Sequence, residues 1–106
     1  MIATGSRVDK PSFEGGEHCW TSDDIFTMEE LPKSMTVLGG GYIAVEMAQI
    51  MTGLGVDVTL VSRGKILKLV DQELMPVLLD SMEKYGTKAM LDTPFTSVEK
   101  LENGML

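Results

Sequence analysis

Met35-Thr36-Val37-Leu38-Gly39-Gly40-Gly41-Tyr42-Ile43-Ala44-Val45-Glu46 is the stretch that decides the fold. A short apolar run halts at three glycines, and Tyr42 to Thr52 follows without a Gly or Pro. The first run predicts a buried strand over 35–38. The second predicts a helix stopped at Gly53 and Gly55. Val56-Asp57-Val58-Thr59-Leu60-Val61 is β-branched and partly alternating, which predicts a second strand. Strand, glycine loop, helix and strand make a βαβ unit, whose crossover is expected to be right-handed.

Inside this unit, Gly39-x-Gly41-x-x-Ala44 has the form G-x-G-x-x-G/A. The first glycine permits a tight turn, the second lets backbone approach a pyrophosphate, and the small third residue lets the helix pack close to the strand. N–H groups at the helix start then face the phosphate charge. Such a motif is weak alone, since a glycine turn precedes many helices. Its place after one strand, at the head of a helix and before another strand makes dinucleotide binding the stronger reading.

The tip of the second strand says which dinucleotide. Where NAD and FAD sites carry an acid for the ribose hydroxyls, this chain reads Val61-Ser62-Arg63-Gly64-Lys65, with Lys68 close behind. A carboxylate would repel a 2′-phosphate, whereas a guanidinium binds it with two parallel hydrogen bonds. NADPH is therefore expected over NADH. The competing account is a solvated basic loop offsetting an acidic surface. On the helix, Tyr42 and Glu46 share a face, extended by Gln49 and Gly53, while Ile43, Val45, Met47, Ile50 and Met51 are apolar. Such a helix is expected to be buried on most sides. Its narrow polar stripe either meets water or faces the nicotinamide end of a cofactor, and the residues alone leave these two readings equal.

Outward from this centre the signals are plainer. Residues 6–20 carry Pro11, Gly15 and Gly16 and read as an irregular connector. Thr21-Ser22-Asp23-Asp24 predicts a capped helix start, and Thr27-Met28-Glu29-Glu30 has capping-box spacing for a second short turn, closed by Pro32. Asp71 to Tyr85 predicts a second helix with Leu74, Leu78, Met82 and Tyr85 on one face and Gly86 as its stop. Pro76 fits only in the first turn. Ala89–Leu91 and Ser97–Leu101 are candidate strands of a small hairpin or meander, with Asn103-Gly104 as a turn signal.

The totals bound the function. The 106 residues carry a net charge of −7, with 24% charged and 43% hydrophobic residues, a globular composition. The acidic balance argues against a nucleic-acid surface, and no apolar run reaches a membrane span of about 18 residues. No secretory leader is visible in 1–10. The single Cys19 cannot form an internal disulfide, which fits a reducing compartment such as the cytoplasm. The single His18 leaves no His/Cys cluster, so no metal site is expected. The chain opens on the apolar stub Met1–Thr4 and stops just after the turn signal at Gly104, so both ends read as cuts in something longer.

Taken together, these residues resemble the flavin-dependent pyridine nucleotide–disulfide oxidoreductase family, on its glutathione reductase side. Gly39–Glu46 is similar to the family's nucleotide loop, and Ala3-Thr4-Gly5-Ser6-Arg7 to its chain-crossing segment. Thr21–Asp24 and Glu30–Ser34 are similar to its connector. Arg63 with Ile66–Asp71 is similar to its 2′-phosphate loop. The resemblance implies an α/β, Rossmann-like dinucleotide-binding domain over 35–106, truncated at its C-terminal end, after a connector from an FAD domain over 1–34. It also implies cofactor contacts from Gly39, Gly40, Gly41, Tyr42, Ile43, Glu46, Arg63 and Lys68. Tyr42 would cover the nicotinamide pocket and move aside for NADPH. Glu46 would pair with a lysine near the flavin, and Gly40 and Ile43 would line the cofactor path. Arg63 would bind the 2′-phosphate. Lys68 aligns with a second basic residue that is commonly Arg, in a loop one residue short, and it lacks the bidentate fork.

The family reaction carries a hydride from NADPH to FAD, then electrons to a cysteine pair and on to a disulfide. These 106 residues hold no CxxxxC pair, no second glycine fingerprint and no His-Pro segment. No catalytic residue is expected in this chain, which alone should be inactive. The remaining flavin and interface domains, in a homodimeric parent, would complete it. Trypanothione, thioredoxin and mycothiol reductases share the pattern; dihydrolipoamide dehydrogenase normally uses NAD, and Arg63 argues against it. The alternative from another class is a free-standing NADP(H)-binding module without catalysis.

Overall fold

The computed structural model describes residues 1–102 and 106, so the Asn103-Gly104 turn signal lies outside the described residues. Contacts divide the chain into two units, Met1–Glu29 with Thr96–Leu106, and Glu30–Phe95.

The second unit is the α/β core. It runs β1 (Ser34–Leu38), α2 (Tyr42–Gly53), β2 (Asp57–Val61), a 3-10 turn (Gln72–Leu74), α3 (Met75–Lys84) and β3 (Lys88–Met90). A four-residue helix, α1 (Ser22–Ile25), belongs to the first unit. The three strands form one parallel sheet in the order β1-β2-β3. Met35 pairs with Val58, Val37 with Leu60, and Leu60 with Ala89. The meander expected after the second helix is absent among the described residues. The Ala89 strand instead joins β2 in parallel, so a second crossover unit replaces a hairpin. Ser97–Leu101 is no strand either: only Ser97 bridges, in parallel, to Glu14 within the first unit.

The core sits on one face of the sheet. Val58 and Leu60 on β2, with Val56 before it, are buried with Val45, Ala48 and Met51 of α2, and with Met75 and Met82 of α3. Side chains alternate along a strand, so Thr59 and Val61 face the other way and are only half-buried. This one-sided cover corrects the expectation for α2. Only Val45, Ala48 and Met51 are buried, while Ile43, Ile50 and Leu54 are exposed despite being apolar. A helix lying on one sheet buries a single stripe, however apolar its other sides. On α3 the buried face is Met75 and Met82, whereas Leu74 and Tyr85 lie exposed. The helix proper begins at Met75, and the preceding turn is wound more tightly, which rotates Leu74 off the core face. Pro76 falls in the first turn, where its missing N–H costs nothing.

Both long helices end alike. Gly55 and Gly86 take φ of 91° and 101°. The N–H of Gly55 donates to Thr52 and that of Val56 to Met51; Gly86 and Thr87 repeat this on Glu83 and Met82. Each is a left-handed glycine cap that turns the chain straight into the next strand.

In the first unit, α1 follows Thr21, whose N–H and hydroxyl both donate to the Asp24 carboxylate, at 2.6 and 2.9 Å. The second short helical turn expected at 27–30 does not form; that stretch is a turn and bend. Gly15 and Gly16 lie hard against the carbonyls of Val98 and Pro11, where no side chain would fit. No helix among the described residues is long and apolar enough to cross a membrane.

Candidate dinucleotide site at the ends of the first two strands

β1 and β2 are parallel and in register, so the loops leaving their C-terminal ends emerge side by side. Open α/β sheets take their ligands outside the carboxyl ends of their strands. Gly39 turns the chain off β1 with φ 136°, a value closed to ordinary side chains, and its N–H donates to Val61 at 2.9 Å. A Cβ on Gly39 would stand 3.6 Å from that of Ala44, the third residue of α2, so the loop and the helix start pack at ordinary contact distance.

The next two glycines differ in purpose. A Cβ added to Gly41 meets nothing within 4 Å, so the space over it is open. Gly41 is also the N-cap of α2 and caps it without a side chain, and no acid occupies the first turn. The N–H groups at this helix start therefore have neither a side-chain acceptor nor a carboxylate competing with an anion. Gly40 faces the protein. Its added Cβ would lie 2.6 Å from Ser62 Oγ, 3.1 Å from the Lys65 carbonyl and 3.4 Å from Ile66 Cα. Its own carbonyl accepts from Leu67 N–H at 2.7 Å. Gly40 thus presses the glycine loop onto the basic loop, 62–68.

That basic loop is held from several sides. Ile66 is buried in the core, and Gln72 Nε2 reaches the carbonyls of Ile66, Leu67 and Val70 at 3.4, 3.1 and 3.0 Å. Ser62, in the place of the usual acid, is 4% exposed and turned inward. Its backbone N–H donates to Met90, and its carbonyl accepts from Thr93, both at 2.9 Å. Ser62 is therefore a joint between loops and presents no acceptor to a ribose. Arg63, Lys65 and Lys68 are all exposed around this joint. The Arg63 guanidinium carbon stands 5.5 Å from the centre of the Phe95 ring.

On α2, Tyr42 is 67% exposed, and Ile43 and Glu46 are exposed beside it. Glu46, on the polar stripe of α2, is in solvent and makes no ion pair among the described residues. Glycine loop, α2 start and basic loop thus meet at one end of the sheet, with Gly39, Gly40, Gly41, Tyr42, Ile43, Glu46, Arg63 and Lys68 distributed over them. Sequence reasoning missed the bracing by Gln72, Thr93 and Phe95. Only the Asp92-Thr93-Pro94 turn signal marks that last segment in the sequence. Among the described residues no group of three His, Cys, Asp or Glu side chains gathers as a metal site.

The family model described as pyridine nucleotide-disulphide oxidoreductase matches residues 1–105. A glutathione reductase from Nostoc sp. (strain PCC 7120) is 37% identical over 106 residues, which is 99% of this chain and 23% of that protein. The HOCl-induced flavoprotein disulfide reductase RclA from Escherichia coli superposes with a TM-score of 0.85 at 25% identity, over 96% of this chain and 24% of that one. An engineered water-forming NADPH oxidase bound to NADPH superposes at 0.80 with 25% identity, over 93% and 24%. The chain thus spans about a quarter of the length of each relative. With its Rossmann-like parallel sheet and fingerprint loop, the chain belongs to the pyridine nucleotide-disulphide oxidoreductase family.

Proposed function

We propose that the chain is the NADPH-binding part of an FAD-dependent disulfide reductase of glutathione reductase type. Residues 1–34 would be the connector from the flavin domain, and 35–106 the nucleotide domain. The observation that carries the choice of NADPH is the exposed Arg63 beside an inward-turned Ser62. No carboxylate stands in the acid's place to repel a 2′-phosphate, and a planar fork is available to hold one.

The residues present fit the cofactor. The open space over Gly41 and the uncapped start of α2 suit a pyrophosphate. Arg63, with Lys68, would hold the 2′-phosphate. Gly39 and Gly40 would shape the turn beneath the cofactor, and Tyr42, Ile43 and Glu46 would border its nicotinamide end, Tyr42 as a movable cover. Bound NADPH supplies a hydride which, with one proton, reduces a disulfide to two thiols by way of FAD and a cysteine pair elsewhere in the parent. The work of this chain is to bind and orient. The parent would be a homodimer working in a reducing compartment such as the cytoplasm, in keeping with the unpaired Cys19.

The test is titration of NADPH and NADH against the full-length protein and its Arg63→Ala variant. Loss of a charge-assisted contact of about 1.5–3 kcal/mol should weaken NADPH roughly 10- to 150-fold and leave NADH unchanged. Equal affinity of the wild type for both cofactors would end the NADPH reading. Glu46→Gln should leave 2′,5′-ADP affinity unchanged, because Glu46 would sit at the cofactor's other end.

A further inference from the structure

The basic loop is backed by the segment that leaves β3, Leu91 to Phe95. The Ser62–Met90 and Thr93–Ser62 backbone hydrogen bonds lace the two together. Two side chains of this segment then meet the two cations assigned to the 2′-phosphate. Phe95 lies under Arg63. Asp92, held at φ 50°, turns its carboxylate to Gly64, over which Lys68 also folds. A Cβ on Gly64 would stand 3.7 Å from Lys68 Nζ and 4.0 Å from Asp92 Oδ1. The two charges are therefore closer than one Debye length, about 8 Å at physiological salt.

We propose that Asp92 and Phe95 set the strength of 2′-phosphate recognition by the basic loop, Phe95 by positioning Arg63 and Asp92 by drawing off Lys68. The inference rests on the NADPH reading and assigns a further specificity element to that site. An aromatic face takes one face of a guanidinium and leaves its N–H groups free in the plane, so a stacked Arg63 is pre-aimed and still able to form a bidentate pair. An exposed arginine without that platform must be ordered when the phosphate binds. Asp92 acts the other way. Its charge offsets the nearby ammonium and repels an incoming phosphate, so the site carries two cations of which Arg63 does most of the binding. The sequence motif counts both as binders; the fold sets them apart.

The experiment uses the full-length protein and compares 2′,5′-ADP with 5′-AMP, which differs only by the 2′-phosphate. Phe95→Leu should weaken 2′,5′-ADP roughly two- to five-fold, and Phe95→Tyr, which keeps the ring, should restore it. Asp92→Asn, tolerated at a left-handed φ, should tighten 2′,5′-ADP by a similar factor at low salt, a gain that fades at about 0.5 M salt. Neither change should move 5′-AMP. Adding Phe95→Leu to Arg63→Ala should cost nothing more, since the ring then has no guanidinium to hold. Opposite signs from two neighbours are what a merely structural role would not produce. Unchanged 2′,5′-ADP binding in Phe95→Leu, or no gain in Asp92→Asn, overturns the proposal while the NADPH reading stands. A wild type that binds 2′,5′-ADP no tighter than 5′-AMP overturns both.

Discussion

Replacing Gly40 with alanine tests how the two halves of the site are joined. The new methyl would stand 2.6 Å from Ser62 Oγ, closer than a Cβ tolerates, and 3.1 Å from the Lys65 carbonyl, which is already tight. Ser62 is buried and Lys65 O is backbone, so neither can swing aside. The loops must part, and the 2.7 Å hydrogen bond from Leu67 N–H to Gly40 lengthens or breaks. Overpacking costs about 1–3 kcal/mol, and the bond a further 0.5–1.5 kcal/mol or so. A loss of about 1.5–4.5 kcal/mol is expected, read as a lower urea midpoint at an unchanged slope in the full-length protein. Gly41→Ala is the control from the same tripeptide. Its methyl meets nothing within 4 Å, and its φ of −80° suits alanine. It should leave stability unchanged and weaken dinucleotide binding, because the methyl fills the space where the pyrophosphate would approach. A Gly40→Ala protein as stable as wild type, or a Gly41→Ala protein that loses stability without losing affinity, would refute the division of labour between the two glycines.

Two further predictions concern the scaffold. Thr52 Oγ1 donates to the Ala48 carbonyl at 2.9 Å, so the hydroxyl of the buried Thr87, 2.7 Å away, must be the donor between the pair. Thr52→Val therefore strands a buried hydroxyl and should cost about 1–3 kcal/mol, whereas Thr87→Val leaves Thr52 with its acceptor and should cost about 1 kcal/mol; equal losses in denaturant melts would contradict this order. The Thr21 N–H and hydroxyl hold the Asp24 carboxyl below its ordinary range. A lowered folded value means this stabilisation is complete above the unfolded value of about 3.9 and is lost as pH falls through the folded one. Fluorescence of the adjacent Trp20 should thus change only below about pH 4, and Asp24→Asn should remove that step. A transition at higher pH, or one that survives the substitution, would show that α1 is held by something else.

The part of the fold written in local pattern was legible early. The run into Gly39, the glycine-free helix and the β-branched second strand each state their type within a few residues. Propensity, cap and fingerprint agree there. The helix stops at Gly55 and Gly86 were equally readable, because a left-handed cap needs glycine for reasons local to the backbone. The partner of the third strand was not readable. Ala89-Met90 followed by a turn signal suits a meander as well as a crossover, and only β2's open edge decides between them.

The site divides along the same line. The sequence by itself determined the G-x-G-x-x-A loop at the head of a helix and put Ser62 where an acid is usual, with Arg63 after it, because residue type and spacing are local properties. Only the tertiary structure decided that Ser62 faces inward, that α2 keeps Glu46, Ile43 and Ile50 in solvent, and that Gly40 serves packing while Gly41 leaves room for a ligand. Whether a glycine is needed for contact or for clearance depends on what lies beyond its missing side chain. Here that neighbour is a loop more than twenty residues along the chain, and Arg63's platform, Phe95, lies thirty-two residues beyond it. Spacing in sequence carries no information about such neighbours until the parallel sheet has brought the strand ends together.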